Sequence, residues 1–193
     1  MHIVSVNVAP VEDLLIEEAG AMRRVPSGIK KQAVAGAITV GPLGLAGDGQ
    51  ADATVHGGPN KAVYAYPQEH YAFWQTQRAA ALGREETLPP GMLGENLTLR
   101  GLVEEEVWVG DQLHIGNVIL QVTEPRQPCY KFAARIGFPH AVKLMIQHGL
   151  SGFYLRVLHT GSVQAGDTFT LHPGPREVSI AQINARLSKQ SEA

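Results

Sequence analysis

The sequence predicts a mostly β domain with α-helices, a partly closed β-barrel carrying helices on its periphery. Three observations lead there. The 193 residues include 21 glycines and 12 prolines, so many turns and short strands are expected. Several short segments alternate apolar and polar residues with the period of two that a half-buried strand requires. The few helical patterns do not fall between strands in regular βαβ succession, which disfavours a doubly wound sheet.

Taken in order, residues 2–8 and 34–40 read as strands, joined through a basic, turn-rich stretch from Arg23 to Lys31. Gly41 to Asn60 is loop around short strands. Val63-Tyr64-Ala65-Tyr66 is a buried strand, and Pro67 then opens a helix that should run to about Ala81. Tyr71, Trp74, Arg78 and Ala81 keep helical spacing. Asn96 to Leu99 is a short strand. The clearest β signal is Val107 to Thr123, where Gly116-Asn117 separates two alternating strands as in a hairpin. Pro139 to His148 is a helix closed by Gly149, Phe153 to Leu158 a strand, and Ile180 to Leu187 the start of a last helix. Val107-x-x-Gly110-Asp111 and Val163-x-x-Gly166-Asp167 share a pattern that reads as repeated turn chemistry before a strand. The domain is expected to span 1–175, with 176–193 beginning a C-terminal helical extension.

With 44% hydrophobic and 18% charged residues the chain is globular. Sixteen Lys+Arg against eighteen Asp+Glu leave a formal charge of −2, which gives no reason to expect nucleic acid or an anionic membrane as partner. The first residues lack a signal peptide's basic start and long apolar core, and no apolar run approaches the roughly 18 residues of a membrane helix. One cysteine excludes an internal disulfide framework, so a reducing cytoplasm is expected.

The sequence has no phosphate loop, dinucleotide fingerprint, HExxH or CxxC, and no two histidines at helical spacing. What stands out is Glu124-Pro125-Arg126-Gln127-Pro128-Cys129-Tyr130-Lys131-Phe132-Ala133-Ala134-Arg135. Tyr130 to Arg135 reads as a short helix with Cys129 at its start. The helix dipole, Arg126 and Lys131 would favour the thiolate that a nucleophile or metal ligand needs. A buried, inert thiol fits the same local sequence. A second cluster runs from Asp48 to Lys61. Its Gly57-Gly58 pair lets backbone approach a ligand, and His56 and Lys61 flank it as possible donors; a plain glycine-rich turn is the alternative.

In this order, six segments resemble the MOSC family, the domain named after the C-terminal part of molybdenum-cofactor sulfurases. The resemblance is greatest to its YiiM-like branch, linked to resistance against 6-N-hydroxylaminopurine. The segments are Ser27-Gly28-Ile29-Lys30, Gly47 to Asp52, Val55 to Tyr64, Gly94-Glu95-Asn96-Leu97, Pro125 to Lys131, and Ser151-Gly152-Phe153-Tyr154. The resemblance implies a MOSC-type β-barrel with peripheral helices. It implies Cys129 as protein ligand to molybdenum, completed by the dithiolene of a pterin cofactor. Lys30, Lys61, Arg126 and Lys131 become candidates for the cofactor's phosphate or pterin, with Gly57 and Gly152 as close-approach positions. His56 and Asn96 would hydrogen-bond the pterin or orient substrate.

The implied reaction is reduction of an N-hydroxylated compound, such as an N-hydroxylated purine, to its amine, with His56 as proton donor. An external flavin or iron–sulfur protein would supply electrons, since the sequence carries no flavin or NAD motif. Two other readings remain: a carrier module that holds the molybdenum cofactor without turnover, and a cofactor-free thiol protein using Cys129 as nucleophile. YiiM-like members carry a C-terminal bundle of three helices. Here only Glu177 to Leu187 resembles its first helix, so the extension reads as truncated.

Overall fold

The computed structural model describes residues 1–18, 20–52 and 57–191. Chain order begins with β1 (His2–Val8), β2 (Glu12–Glu18), β3 (Ala21–Ser27), β4 (Gln32–Ala33), β5 (Ile38–Gly41) and β6 (Gly44–Leu45). It continues with β7 (Val63–Pro67), α1 (Tyr71–Leu82), β8 (Leu97–Arg100), β9 (Gln112–Ile115), β10 (Val118–Pro125), α2 (Tyr130–Ile136) and α3 (Ala141–His148). The last elements are β11 (Phe153–His159), β12 (Gly161–Val163), β13 (Thr170–His172) and α4 (Ile180–Ser191).

Eight strands form one sheet in the order β13-β9-β10-β11-β7-β8-β1-β4. Neighbours are antiparallel except β7 and β8, which run parallel. The sheet curls until its far ends meet. Ile3 N donates to Asp167 O at 2.8 Å, Gly166 N to Ile3 O at 2.8 Å, and Phe169 N to Met1 O at 3.2 Å. These bonds tie the segment entering β13 to β1, which makes the expected partly closed barrel. Ile3, Val6, Val63, Ala65, Leu97, Leu113, Leu120, Phe153 and Leu155 fill its interior.

A second core lies outside the barrel wall, under α1, α2 and α3. Strand alternation assigns residues to the two cores. In β7, Val63 and Ala65 point inward while Tyr64 and Tyr66 point outward. In β11, Phe153 and Leu155 point inward and Tyr154 outward. Both faces of β7 are therefore buried, which is why that strand shows no polar alternation. Trp74 of α1 is fully buried against Phe132 of α2, and its indole N–H donates to Tyr66 OH at 2.6 Å. Burying a side chain of this size is worth roughly 1.5–3 kcal/mol.

The two Gly-Asp turns use the same chemistry. Asp111 Oδ2 accepts from Trp108 N at 3.1 Å, and Asp167 Oδ2 from Gln164 N at 2.9 Å, each with its glycine at φ near 90° (94° and 91°). The structure departs from the sequence expectation between residues 9 and 31. The stretch expected to be a basic connection contains β3, paired with β2 as a separate two-stranded sheet. Of its two strands only Leu14, Val25 and Ser27 are buried, so the alternation is faint. α4 docks on the body of the domain, with Ile180 in the barrel core and Asn184 Nδ2 donating to Gly149 O and Ser151 Oγ, both at 2.9 Å. No helix among the described residues is long and apolar enough to cross a membrane.

Candidate functional site

A cleft, open at its mouth, lies where the end of β10, the start of α2, the loop after β3 and the loop after β6 converge. Cys129 lines it. Pro125 ends β10, Pro128 holds the chain extended, and Cys129 is the N-cap of α2 at φ −128° and ψ 176°. Its carbonyl accepts from Phe132 N at 2.9 Å, and α2 closes at Gly137 in the left-handed conformation. Cys129 is half-buried.

Arg126 forms one wall. It is buried, lies over the Tyr64 ring at 4.9 Å and the Phe132 ring at 5.1 Å, and donates to Leu93 O. Its charge is felt by Tyr64, Tyr154 and Cys129 alike. Burial raises the Tyr154 phenol above its ordinary value; Arg126 pulls it back and Cys129 adds to the rise. Tyr64, likewise raised by burial, donates its hydroxyl to Ser151 O at 2.7 Å. Lys61 stands over the Tyr154 ring at 5.7 Å and 3.6 Å from Glu124.

The floor is a polar cluster. Asn96 Nδ2 donates to Asp48 Oδ2 at 2.9 Å, and Asn96 Oδ1 accepts from Tyr64 N at 3.0 Å. Asp48 Oδ1 accepts from Ala9 N at 3.0 Å and from the Lys31 ammonium. Lys31 is 7% exposed. Burial lowers its pKa from the ordinary lysine value, and Asp48 and Glu95 oppose that shift.

Of the residues named from sequence, Cys129, Arg126, Lys131, Lys61 and Asn96 line this one cleft. Lys30, Gly57 and Gly152 do not. Lys30 Nζ turns outward to Asp13 O at 2.9 Å, and its neighbour Lys31 occupies the cleft instead. Gly57 packs on the Gln50 side chain, which accepts from Gly58 N at 2.8 Å. Gly152 braces the site from behind: its N–H donates to Glu104 Oε1 at 2.6 Å, and a Cβ there would overlap the Ala65 carbonyl oxygen. His56 lies outside the described residues. Lys31, Asp48, Tyr64 and Tyr154 were not singled out from sequence. Lys31 had a signal, because Val25, Ser27, Ile29 and Lys31 are buried at every second position while Pro26 and Lys30 are not.

Among the described residues, no three His, Cys, Asp or Glu side chains gather to hold a metal ion. A metal here would have to arrive with ligands of its own and take one from the protein. The cleft suits such a group. It offers one thiol, and four cations (Lys31, Lys61, Arg126, Lys131) against the carboxylates of Asp48 and Asp52, a balance fitted to an anionic ligand. Gly94 keeps one wall thin, since a Cβ there would press on Ile29 and approach Arg126. A pterin carrying phosphate and two sulfurs matches this donor set.

Three similarities bear on the family. Over 163 residues the chain is 39% identical to YflK of Bacillus subtilis (strain 168), covering 84% of this chain and 71% of that one. It is 36% identical over 152 residues to a protein named Reductase of Gibberella moniliformis (strain M3125 / FGSC 7600), covering 78% of this chain and only 26% of that much longer one. The crystal structure of YiiM from Geobacillus stearothermophilus superposes with a TM-score of 0.75 at 34% identity, covering 100% of this chain and 86% of that one. Residues 52–170 match the family model described as MOSC domain, and the chain belongs to the MOSC domain family.

Proposed function

We propose that this chain holds a molybdenum cofactor in the cleft, with Cys129 as its protein ligand, and reduces N-hydroxylated compounds to amines. One observation carries the reading: the single cysteine of the chain shares a cleft with Lys31, Lys61, Arg126 and Lys131. When bound, the cofactor supplies two-electron redox chemistry; the protein's part is to bind, orient and protonate. Arg126, buried over the rings of Tyr64 and Phe132, is a rigid donor for a phosphate or pterin oxygen. Lys61 and Lys131 add charge at the sides, and Asn96 fixes the floor. The open mouth admits a small planar substrate.

Reduction requires electrons from outside the chain. We assign that supply to a flavin or iron–sulfur protein. The test is to express the chain in cells competent for cofactor synthesis, then measure molybdenum by elemental analysis and released pterin by fluorescence. Molybdenum and pterin together, with reduction of a hydroxylamine by reduced viologen, are expected. Cys129→Ala should lose the metal and stay folded. A wild-type chain without molybdenum, under conditions that load a known molybdoenzyme, overturns the reading. Metal without turnover points to a carrier module instead.

A further inference from the structure

Lys31 is the one cleft lysine that is almost fully buried, and it is placed differently from the rest. An ammonium has three N–H donors. One Lys31 N–H goes to Asp48 Oδ1, and among the described residues no second protein acceptor meets the group. Lys31 lines the cleft, so its remaining donors are available to a ligand bound there. Asp48 cannot swing away: Ala9 N and Asn96 Nδ2 hold its two oxygens at 3.0 and 2.9 Å. The loop carrying Lys31 is fixed too, since Gly91 leaves no room for a Cβ against the Lys31 carbonyl.

We propose that Lys31 is the proton donor of this cleft, giving its proton to the hydroxyl oxygen of an N-hydroxylated substrate as the N–O bond breaks. This deepens the reductase reading and rests on it. The hydroxylamine R–NH–OH takes up two electrons and two protons and yields R–NH2 and water. The N–O bonding pair leaves with the oxygen, which takes the Lys31 proton and departs as water. The nitrogen receives two electrons, supplied by the flavin or iron–sulfur donor protein, and a second proton from solvent. Lys31 is left as a neutral amine, still donating to Asp48, and regains its proton from water through the cleft mouth.

The surroundings suit a group that must both hold and release a proton. Burial and Arg126 disfavour the ammonium; Asp48 and Glu95 favour it. Cys129, Lys61, Lys131, Asp52, Tyr64 and Tyr154 are the other titratable groups lining the same cleft. A buried lysine balanced in this way has a proton affinity tuned toward catalysis.

The test compares wild type and Lys31→Arg as molybdenum-loaded proteins. Arginine keeps the charge but does not give up a proton in this range. Lys31→Arg should retain metal and KM while kcat falls about 10²–10⁴-fold, the usual worth of a positioned acid. In wild type kcat should fall as rising pH strips the Lys31 proton, and the variant should lose that alkaline limb. Should Lys31→Arg not fold, Lys31→Met combined with Asp48→Asn removes both charges together and is read in the same way. Independently of turnover, Nζ-detected NMR should show a lysine resonance, absent in the variant, titrating below the ordinary lysine value of 10.5. Wild-type kcat and pH profile in a loaded Lys31 variant would overturn the inference and leave the reductase reading standing. So would a Lys31 resonance at the ordinary lysine value. A wild type that takes up no molybdenum overturns both.

Discussion

Asn96 joins Asp48 to Tyr64, donating to the carboxylate at 2.9 Å while accepting the Tyr64 backbone N–H at 3.0 Å. A contact from the same amide nitrogen to Asn7 O at 3.3 Å adds a third segment. One side chain thus holds the end of β1, the loop carrying Asp48 and the strand carrying Tyr64 in a single arrangement. Lys31 is placed through it.

Replacing Asn96 should therefore act on stability and site together. Asn96→Ala leaves the buried Tyr64 N–H without an acceptor, and the expected loss is about 2–3 kcal/mol in urea denaturation at neutral pH. Asn96→Asp can still accept from Tyr64 N but sets a second carboxylate against Asp48. Its deficit should shrink on acidification, because protonating the new carboxyl removes the repulsion and restores a donor. Equal deficits at pH 7 and pH 5 would contradict this account.

Gly152 is held by conformation and by space. Its φ is 61°, and a Cβ would overlap Ala65 O and crowd the rings of Tyr66 and Tyr64 at 2.8 and 2.9 Å. Gly83, with φ 68°, has nothing within 4 Å of such a Cβ and serves as the control. Gly83→Ala should cost about 1 kcal/mol, the left-handed backbone alone. Gly152→Ala should cost about 2–4 kcal/mol, since crowding adds to the strain. In a thermal melt the difference should exceed a few degrees.

Much of the architecture was legible because local chemistry dictates it. The hairpin turning at Gly116-Asn117, the helix capped at Cys129 and the helices closed by glycine all follow from neighbouring residues. The β2–β3 hairpin was hidden because Leu14, Leu15 and Ile16 are contiguous, and only one face of that sheet is covered. At the site, motifs point to Cys129, Arg126, Lys61, Lys131 and Asn96, but to Lys30 where the structure places Lys31. The period of two from Val25 to Lys31 separates them, with the inward positions odd and Lys30 even. From sequence Tyr64 reads as part of a buried strand and Tyr154 as part of the strand Phe153 to Leu158; that the two wall a cleft depends on the pairing of β7 with β11, where Tyr154 stands opposite Tyr64. Such a contact across 90 residues of chain has no local signature.

Arg126 should resist conservative exchange. Its planar group covers two aromatic rings and donates to Leu93 O while buried. Lysine keeps the charge but cannot lie flat on both rings or repeat the fork of donors. Arg126→Lys is expected to lose about 1–3 kcal/mol in chemical unfolding. A change within error of wild type would show that the charge alone, and not the stacked plane, matters for the wall.

Alkaline unfolding should be set by tyrosines. Four of the five, Tyr64, Tyr66, Tyr71 and Tyr154, are buried, while Tyr130 is 52% exposed. Burial raises the phenols of all four above the ordinary value of 10.0, and the Glu95 carboxylate raises Tyr71 further. The folded state then keeps protons that the unfolded chain releases, so stability is complete below about pH 10 and falls as pH rises above it. Each such group contributes a slope of up to about 1.4 kcal/mol per pH unit while its phenol stays protonated in the folded state, so the four act together to steepen the loss. Lys31 works the other way, because its lowered pKa makes stability rise with pH up to the ordinary lysine value of 10.5. It is one group against four, and above that value it adds nothing more. Phenolate absorbance of the four buried rings should therefore appear together with loss of near-ultraviolet circular dichroism, in one cooperative step. Smooth ionisation of all five while the tertiary signal persists would mean that the rings of the second core are open to solvent.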